Sequence, residues 1–560
     1  MRLVRSRARR TGFVQASLAA VGIAAALPAQ SPPPGAAPPP IFGETVEVRV
    51  VNLEVVVTDR DNLPVTGLAS RDFSIVIDGK AEPVDYFTEV RGGTAVEPEF
   101  GGEPAAAVPQ LAVGSPVSTS YLVFVDDFFS IARDRNRVIG SLRKDLPRLG
   151  PEDRMAVVAW DGNRLTMLSS WSSSGPELER VLRKATERPA FGLQRLAEKR
   201  NLGNDQRLRR DFGALGQSRR FSLDARLDVS ERYFAETVQH QVRSAAAAAA
   251  AALRGFANPP GRKVMLLLSG GWPYDPAEYA VNDFGRSVLE PDLDRGDKML
   301  APLVDTANQL GYTLYAVDVP GLGGDSDVDA AEATAPDLND RAGSFLRENN
   351  AQYSLQFVAE RTGGRALINA RRDEALARAV ADTRSYYWIG FTPQWQGDDS
   401  QHKVEVKVLR DGLRVRSRTG YLDSSKRREV SMAVESVLLF GNGPNAAPLP
   451  VEFVKGKSSG STMRYSLVLH VPLDGLTFVP RGGEYETALE LRVAAADDHG
   501  GRSDIPIIPM RLVVPQPPAP GSTARYQTQL ELRRAKNHVV LAVYDPASGA
   551  IYSATADLQP

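Results

Sequence analysis

The chain has 560 residues, a length that predicts three or four domains at about 150 residues each. Its 67 Lys and Arg residues balance 68 Asp and Glu residues, so there is no net positive field to attract a polyanion, and no nucleic-acid partner is expected. Cysteine is absent, which excludes disulfides, thiolate zinc sites and cysteine nucleophiles. The apolar fraction of 42% is typical of globular proteins.

Residues 1–29 have the layout of an export signal. Five arginines precede an Ala-rich apolar stretch that ends at Ala29, and this order is typical of signal peptides. The sequence therefore predicts an exported protein that is periplasmic, envelope-associated or secreted. Arg9-Arg10 leaves twin-arginine export open, and an uncleaved membrane anchor is the alternative to cleavage. No later segment is long and apolar enough to predict a membrane span.

Two linkers flank a short β segment near the start of the mature chain. Residues 30–43 form a Pro-rich linker that is expected to run extended. Residues 44–90 follow with β-branched strand patterns and an Asp78-Gly79 turn, which predict an N-terminal β segment. Residues 91–117 are rich in Gly, Pro and Ala and predict a second linker.

Residues 118–370 contain four apolar runs, each with the length of a buried strand. None alternates, so both faces of these strands are expected to be covered, as in a parallel sheet between helices. Helical patterns lie between the runs, and this alternation predicts a doubly wound, mostly parallel sheet. The basic stretch 195–232 is interpreted as a solvated helical excursion. The runs are Tyr121–Val125, Met155–Ala159, Val264–Leu268 and Tyr312–Val317.

The remainder of the chain returns to β patterns. A trailing helix and β segment is predicted over 371–423. We expect it to pair with 44–90, because neither segment is long enough to bury a core alone, which makes the central region an insertion. Residues 424–560 carry several strand patterns separated by turns, and they predict a C-terminal β-sandwich.

The predicted strand ends carry no phosphate-binding motif and no motif of a hydrolase. The first strand ends in Asp126-Asp127-Phe128-Phe129-Ser130, and no nucleophile elbow or zinc-protease histidine pair occurs in the sequence. The sequence therefore predicts that the protein is not an enzyme. A hydrolase or protease assembled across domains is the alternative, and its mark would be a solvent-reachable Ser or Asp beside one of the 5 histidines.

Several segments together resemble one family. YLVFVDDFFS, RMAVVAW and KVMLLLSGG resemble the strands of a von Willebrand factor type A domain. VVVTDRDNLPVTGLASRDFSIVIDGKAEPVDYF, TRSYYWIGFTP and VKVLRDGLRVRSRTGYL are similar to flanking segments of the VWFA-related proteins of acidobacterial cell envelopes. The resemblance covers residues 45–423. It implies an α/β plus all-β fold class: a doubly wound, mostly parallel, type A (Rossmann-like) sheet with flanking β-sandwich modules.

The resemblance also implies a divalent cation, usually Mg²⁺, at the C-terminal edge of the sheet. The family holds it with Asp-x-Ser-x-Ser, a threonine and a later aspartate; here the first aspartate is Asp126 and the last serine is Ser130. The middle serine is Phe128, the later aspartate falls at Gly270, and no threonine is matched. We therefore expect a degenerate site and no cofactor. A metal-dependent adhesin that holds Mg²⁺ with Asp126, Asp127 and Ser130 is the alternative.

A degenerate metal site leaves aromatic side chains at the same edge. Phe128, Phe129, Trp272 and Tyr274 lie on its loops, and exposed aromatic rings often anchor protein partners. The alternative is that these rings fill the vacated pocket. The sequence thus predicts an exported, non-catalytic, adhesion-type protein that binds an unidentified protein partner through this ligand face.

Overall fold

The computed structural model describes most of the chain beyond the predicted signal. The described residues are 50–61, 63–96, 113–199, 201–202, 217–257, 259–280, 293–319, 338–368, 373–441, 447–498 and 501–560. Only the backbone is described for the helical residues 217–229 and 338–348. The predicted signal 1–29 and the Pro-rich linker 30–43 lie outside these residues. The described residues form two compact units, one within Val48–Ser424 and one within Ser425–Pro560.

The first unit contains strands β1 to β15 and helices α1 to α7. Its strands are β1 (Val51–Thr58), β2 (Phe73–Ile77), β3 (Lys80–Glu82), β4 (Tyr86–Arg91), β5 (Thr94–Val96), β6 (Thr119–Asp126), β7 (Arg154–Trp160), β8 (Leu165–Ser172), β9 (Arg262–Ser269), β10 (Tyr312–Asp318), β11 (Arg365–Leu367), β12 (Tyr386–Phe391), β13 (Gln401–Val408), β14 (Arg414–Arg416) and β15 (Gly420–Leu422). Its helices are α1 (Ala132–Asp145), α2 (Gly175–Thr186), α3 (Gln217–Gly255), α4 (Pro276–Ala280), α5 (Gly296–Leu310), α6 (Leu338–Arg361) and α7 (Ala375–Thr383). Residues 192–199 are also helical.

The second unit contains one helix and nine strands among its described residues. These elements are α8 (Lys426–Phe440), β16 (Ala447–Pro448), β17 (Val451–Ser459), β18 (Thr462–Pro472), β19 (Val479–Arg481), β20 (Glu484–Asp497), β21 (Ile507–Val514), β22 (Thr523–Arg533), β23 (Asn537–Tyr544) and β24 (Ile551–Leu558).

The predicted fold class, with a doubly wound and mostly parallel sheet as its main element, is wrong for this chain. The described residues are mostly β, with 24 strands in five sheets that are mixed or antiparallel, and 31% helix. The four apolar runs do become strands, but these are a small share of all strands, and their own sheet is mixed. Strand pairing is non-local, so apolar runs alone did not reveal how many antiparallel partners the rest of the chain supplies.

The mixed sheet of the first unit has the order β11-β10-β9-β6-β7-β8. Strand β8 runs antiparallel to β7, whereas the other neighbouring pairs are parallel. One face of β6 packs against α1, α2 and α7, while α3 also contacts β6 and both α5 and α6 contact β10. Because β6, β7 and β9 are parallel, Asp126, Trp160 and Ser269, their last residues, meet at one edge of the sheet.

Two antiparallel sheets of the first unit join its early and late segments. Strand β12 lies between β1 and β4 in a five-stranded sheet, and β13 lies between β15 and β2 in a four-stranded sheet. The two sheets share a core that includes Leu53, Ile75, Tyr387 and Val404. The segments before and after the mixed sheet are therefore brought together, and 119–383 lies between them in sequence. Strand β5 falls inside the predicted linker 91–117.

The second unit is built from two sheets over one core. A six-stranded sheet has the order β16-β24-β23-β20-β19, with β21 added on β20, and a three-stranded antiparallel sheet has the order β17-β18-β22. Leu467, Leu491 and Leu541 are among the fully buried core residues. Strand β17 is an edge strand, and its register to β18 shifts between Lys455 and Ser458. Helix α8, which the sequence did not predict, packs on β20 and β23.

The structure also bears on the predicted excursion 195–232 and on membrane-spanning helices. Of the predicted excursion 195–232, residues 217–232 belong to α3, and 203–216 lie outside the described residues. Within the described residues, no helix combines the length and the apolar character that crossing a membrane requires.

Substituting Gly364 is expected to destabilise the mixed sheet. A Cβ atom at Gly364 would lie 1.9 Å from the carbonyl oxygen of Leu314 in β10, so Gly364→Ala must push β10 and β11 apart. We expect a loss of about 1–3 kcal/mol in the free energy of unfolding, measured by urea denaturation. The matched control is Gly140→Ala in α1, where a Cβ atom meets no atom within 4 Å. Alanine should raise the free energy of unfolding there by about 0.5–1 kcal/mol, because it loses less backbone entropy than glycine on folding. Equal stability of the two variants would contradict this packing.

Candidate functional site

The residues that the sequence assigns to a site lie where β6 and β9 end. Asp126 is the last residue of β6, and Ser269 is the last residue of β9 beside it. Residues 127–130 and 270–274 continue from these two strand ends as loops. We refer to residues 126–130 and 269–274 as the Asp126 edge.

The carboxylate of Asp126 is fully buried and accepts four hydrogen bonds. Its Oδ1 accepts the backbone N–H groups of Phe128 at 3.1 Å and Phe129 at 3.0 Å. Its Oδ2 accepts the Ser269 hydroxyl at 2.6 Å and the Trp272 indole Nε1–H at 2.9 Å. Burial raises the pKa of Asp126 to about 6, although these hydrogen bonds oppose the rise. A carboxylate has about four lone-pair positions, so the protein itself occupies all of them.

Asp127 points to a different set of partners. Its Oδ1 accepts Nη1 of Arg135 at 2.5 Å, and its Oδ2 accepts Nε of Arg188 at 2.7 Å. Burial raises the pKa of Asp127, and the two guanidinium groups oppose that rise. The Asp127 carboxylate and the Arg135 side chain are fully buried, and Arg135 also donates to the carbonyl of Arg188. Asp127 therefore holds the chain after α2 against the edge and does not share the surroundings of Asp126.

The remaining members of the expected cation site do not complete one. The hydroxyl of Ser130 is buried and has no hydrogen-bond partner within the described residues. A Cβ atom at Gly270 would lie 2.1 Å from the carbonyl oxygen of Phe129, so no acidic side chain can stand there. Mg²⁺ needs near-octahedral oxygen coordination. Asp126, Asp127 and Ser130 do not fit it, because the first is saturated, the second is ion-paired, and the third stands alone.

The described residues offer no other cluster suited to a metal. No group of three or more His, Asp or Glu side chains in the described ranges is placed to hold a cation. The chemistry of the Asp126 edge is consequently that of hydrogen-bond donors around one carboxylate.

Phe128 and Phe129 form the accessible aromatic part of the edge, and both are half-buried. Their rings meet edge to face with centroids 5.0 Å apart, and the Phe128 ring packs in the same way on Trp160 at 5.3 Å. The guanidinium carbon of Arg195 lies 4.6 Å from the centroid of the Phe128 ring. This cation–π contact and the ring below hold Phe128 in one orientation at the surface.

The other two rings predicted at this edge differ in burial, since Trp272 is inside the protein and Tyr274 is half-buried. Trp272 is 0% exposed, so it cannot present a ring to a partner; it fills the interior and donates to Asp126. Tyr274 is half-buried and packs edge to face on Tyr353, with centroids 4.6 Å apart. Trp272 is therefore removed from the predicted ligand face, and the alternative of pocket filling describes it, whereas Phe128, Phe129 and Tyr274 keep some exposed surface.

A second cluster, which the sequence did not reveal, surrounds His402 in the first unit. His402 Nδ1 lies 2.7 Å from Oδ2 of Asp78, and His402 Nε2 lies 3.1 Å from Oγ of Ser400. Asp78 is 324 residues away in sequence, so only the Ser-x-His spacing was visible beforehand. This is the arrangement that marks the hydrolase alternative: a half-buried serine beside a histidine.

Comparisons with known proteins do not identify a family. No family model and no curated protein matches the chain. Among solved structures, a protein from Archaeoglobus fulgidus is 9% identical, over 20% of this chain and 95% of that one, with a TM-score of 0.14. Bovine butyrophilin is 8% identical over 32% of this chain and 64% of its own, with a TM-score of 0.12. The pilus adhesin SpaC from Lactobacillus rhamnosus GG is 10% identical over 86% and 60%, with a TM-score of 0.21. Scores this low carry no argument about fold or function.

Asp126→Asn is expected to change how the free energy of unfolding depends on pH. Burial raises the pKa of Asp126 from 3.8 to about 6, so between these values the native protein keeps a proton that the unfolded chain releases. Asp126 therefore contributes fully to the free energy of unfolding below about pH 4. As pH rises through about 6 this contribution is lost, and the free energy of unfolding falls by about 3 kcal/mol. Urea unfolding across this range should show the decline only in the parent chain. If the free energy of unfolding changed with pH in the same way in the parent chain and in Asp126→Asn, this prediction would be contradicted.

Divalent cations are expected to leave the Asp126 edge unchanged, because its carboxylate has no free lone pair. Titration calorimetry with Mg²⁺, Mn²⁺ and Ca²⁺ should give no heat of specific binding, and the cations should not raise the midpoint of thermal unfolding. Glu152→Ala, which removes an exposed carboxylate just before β7, controls for nonspecific binding to surface carboxylates. Cation binding that disappears in Asp126→Ala but persists in Glu152→Ala would restore the metal-dependent adhesin.

Proposed function

We propose that this chain is an exported, adhesion-type protein whose Asp126 edge binds a protein partner without a divalent cation and has no catalytic role. One observation carries the proposal: the Asp126 carboxylate is saturated by four internal donors while the adjacent Phe128 and Phe129 are only half-buried. Aromatic rings at the centre of an interface commonly supply most of its binding free energy. The edge thus offers shape and ring surface where the type A family offers a cation.

The local packing supports binding by these rings. Phe128 is supported from below by Trp160 and is covered on its face by Arg195, which itself is ion-paired with Glu198 at 2.7 Å. The loop that carries Phe128 and Phe129 is tied to the interior because their backbone N–H groups donate to Asp126. A surface that is already ordered loses little conformational entropy when a partner binds.

Export and family are proposed on the sequence. The arginine-rich start, the apolar stretch and Ala29 support a secretory signal. The absence of cysteine is compatible with folding outside the cytoplasm, because no disulfide has to form. The segments that resemble VWFA-related envelope proteins support the same location.

The partner's dependence on the rings and on cations tests the function. The full chain is used to isolate a partner from the cell envelope, and the dissociation constant of the purified pair is then measured with Mg²⁺ and with a chelator. We expect the same affinity in both conditions. The double variant Phe128→Ala/Phe129→Ala should bind at least about tenfold more weakly, as hot-spot aromatics do.

Tyr233→Ala is the matched control, because Tyr233 is an aromatic residue with 71% exposure that lies on α3 and is not part of the Asp126 edge. It should bind like the parent chain. Loss of the partner on chelation, or equal affinity of the double variant and the parent, would refute the proposed function.

A further inference from the structure

We propose that Ser400, His402 and Asp78 form a separate nucleophilic site that hydrolyses small carboxylic esters. The carboxylate of Asp78 lies 2.7 Å from Nδ1 of His402, and the hydroxyl of Ser400 lies 3.1 Å from Nε2 of the same ring. A nucleophilic serine needs this order of contacts: carboxylate to Nδ1, and Nε2 to hydroxyl. The inference goes beyond the proposed binding function and concerns residues outside the Asp126 edge.

The four-stranded sheet of the first unit brings the three residues together. Ser400 immediately precedes β13, and His402 lies two positions later, so their side chains share a face of the strand. Strand β2 pairs with β13, and Ile77 stands opposite Val404. Asp78 follows with a left-handed φ of 48°, which aspartate tolerates better than most residues, and this turn aims its carboxylate at His402.

Two further contacts orient the acid and the base. Oδ1 of Asp78 accepts the backbone N–H of Lys403 at 2.8 Å, which leaves Oδ2 for His402. The hydrogen bond from His402 holds the pKa of Asp78 below its ordinary value, so the residue is a carboxylate. The His402 ring stacks on Tyr421 with centroids 4.8 Å apart. A carboxylate on Nδ1 favours the tautomer with its proton there, which leaves the Nε2 lone pair facing Ser400.

His402 lines a cavity of about 390 Å³ that has the character of a small-molecule site. Its wall carries the rings of Phe357 and Tyr421 and charged side chains of both signs, and Ser400 adjoins it only through His402. The charged side chains are those of Arg361, Lys403, Asp78, Asp297 and Asp305. The rings suit an apolar acyl or alcohol group.

The reaction uses only the ester and water. Oγ of Ser400 attacks the carbonyl carbon, and its proton passes to Nε2 of His402. The bond between the carbonyl carbon and the alcohol oxygen breaks, and the proton on Nε2 goes to the departing alkoxide. Water then attacks the acyl-serine, gives a proton to Nε2, and the proton returns to Oγ as the carboxylic acid leaves. Asp78 is a positioning residue that keeps the imidazole oriented.

Asp398 is the other neighbour of Ser400 and defines the competing arrangement. Its Oδ1 accepts the Ser400 backbone N–H at 2.9 Å, and the Ser400 hydroxyl also helps to hold the pKa of Asp398 below its ordinary value. If the hydroxyl served only Asp398, the contact between His402 and Asp78 would merely tie β13 to the β2–β3 turn. The experiment therefore has to separate dependence on His402 from dependence on Asp398.

The test is covalent labelling of the full chain with an alkyl fluorophosphonate, which transfers its phosphonyl group to an activated serine with loss of fluoride. Peptide mass spectrometry locates the adduct, and p-nitrophenyl acetate should compete with labelling. We expect the adduct on Ser400, none there in Ser400→Ala, and labelling at least about 100-fold slower in His402→Gln. Asp78→Asn, which keeps the shape of the residue and its left-handed backbone, should also slow labelling while the chain stays folded by circular dichroism.

Two controls complete the design. Ser74→Ala removes a half-buried serine from the same sheet, in β2, and should label like the parent chain. Asp398→Asn should also keep the adduct, because His402 is the base. The proposal is overturned if the folded parent chain gives no adduct on Ser400, if His402→Gln labels as fast as the parent, or if labelling follows Asp398 instead. The parent result needs no variant, so a misfolded variant does not obscure it.

Discussion

One buried carboxylate determines the geometry of the edge at which β6 and β9 end. Moving a carboxylate out of water costs several kcal/mol, and this cost is offset only if donors inside the protein replace the lost hydration. Asp126 gathers such donors from its own loop, from Ser269 and from Trp272. Satisfying Asp126 therefore folds the loop back over Gly270, seats the carbonyl of Phe129 there, and leaves Phe128 and Phe129 half-buried.

The groups that contact a buried carboxylate determine its pKa. A divalent cation favours the ionised form of its ligands, whereas neutral N–H and O–H donors leave the effect of burial dominant. For Asp126 the result is a raised pKa, so the edge is coupled to protons. Asp127, one residue later, is paired with two guanidinium groups, which oppose the rise in pKa that burial causes there too. Adjacent acids thus have separate structural roles.

Local patterns predicted elements well and long-range partners poorly. The run Tyr312–Val317 matches β10 almost to the residue, because a strand covered on both faces must be continuously apolar. The fold class was wrong because pairing between distant strands is not written in any one of them. The sequence placed Trp272, 146 residues after Asp126, at the same edge but did not identify it as a hydrogen-bond donor to that carboxylate. The cluster around His402 was missed although 44–90 was expected to pair with 371–423, because the sequence does not give the register of β2 on β13 that brings Asp78 beside His402.

The irregular edge strand β17 has a consequence for solution behaviour. An open sheet edge is a template on which another copy of a chain can add a strand, and repeated addition leads to fibrils. Here the register shift between Lys455 and Ser458 breaks the regular spacing of backbone donors and acceptors, and the exposed Lys457 within it adds a charge. Both features hinder docking of an extended segment along β17, so the C-terminal unit is protected on this side against aggregation.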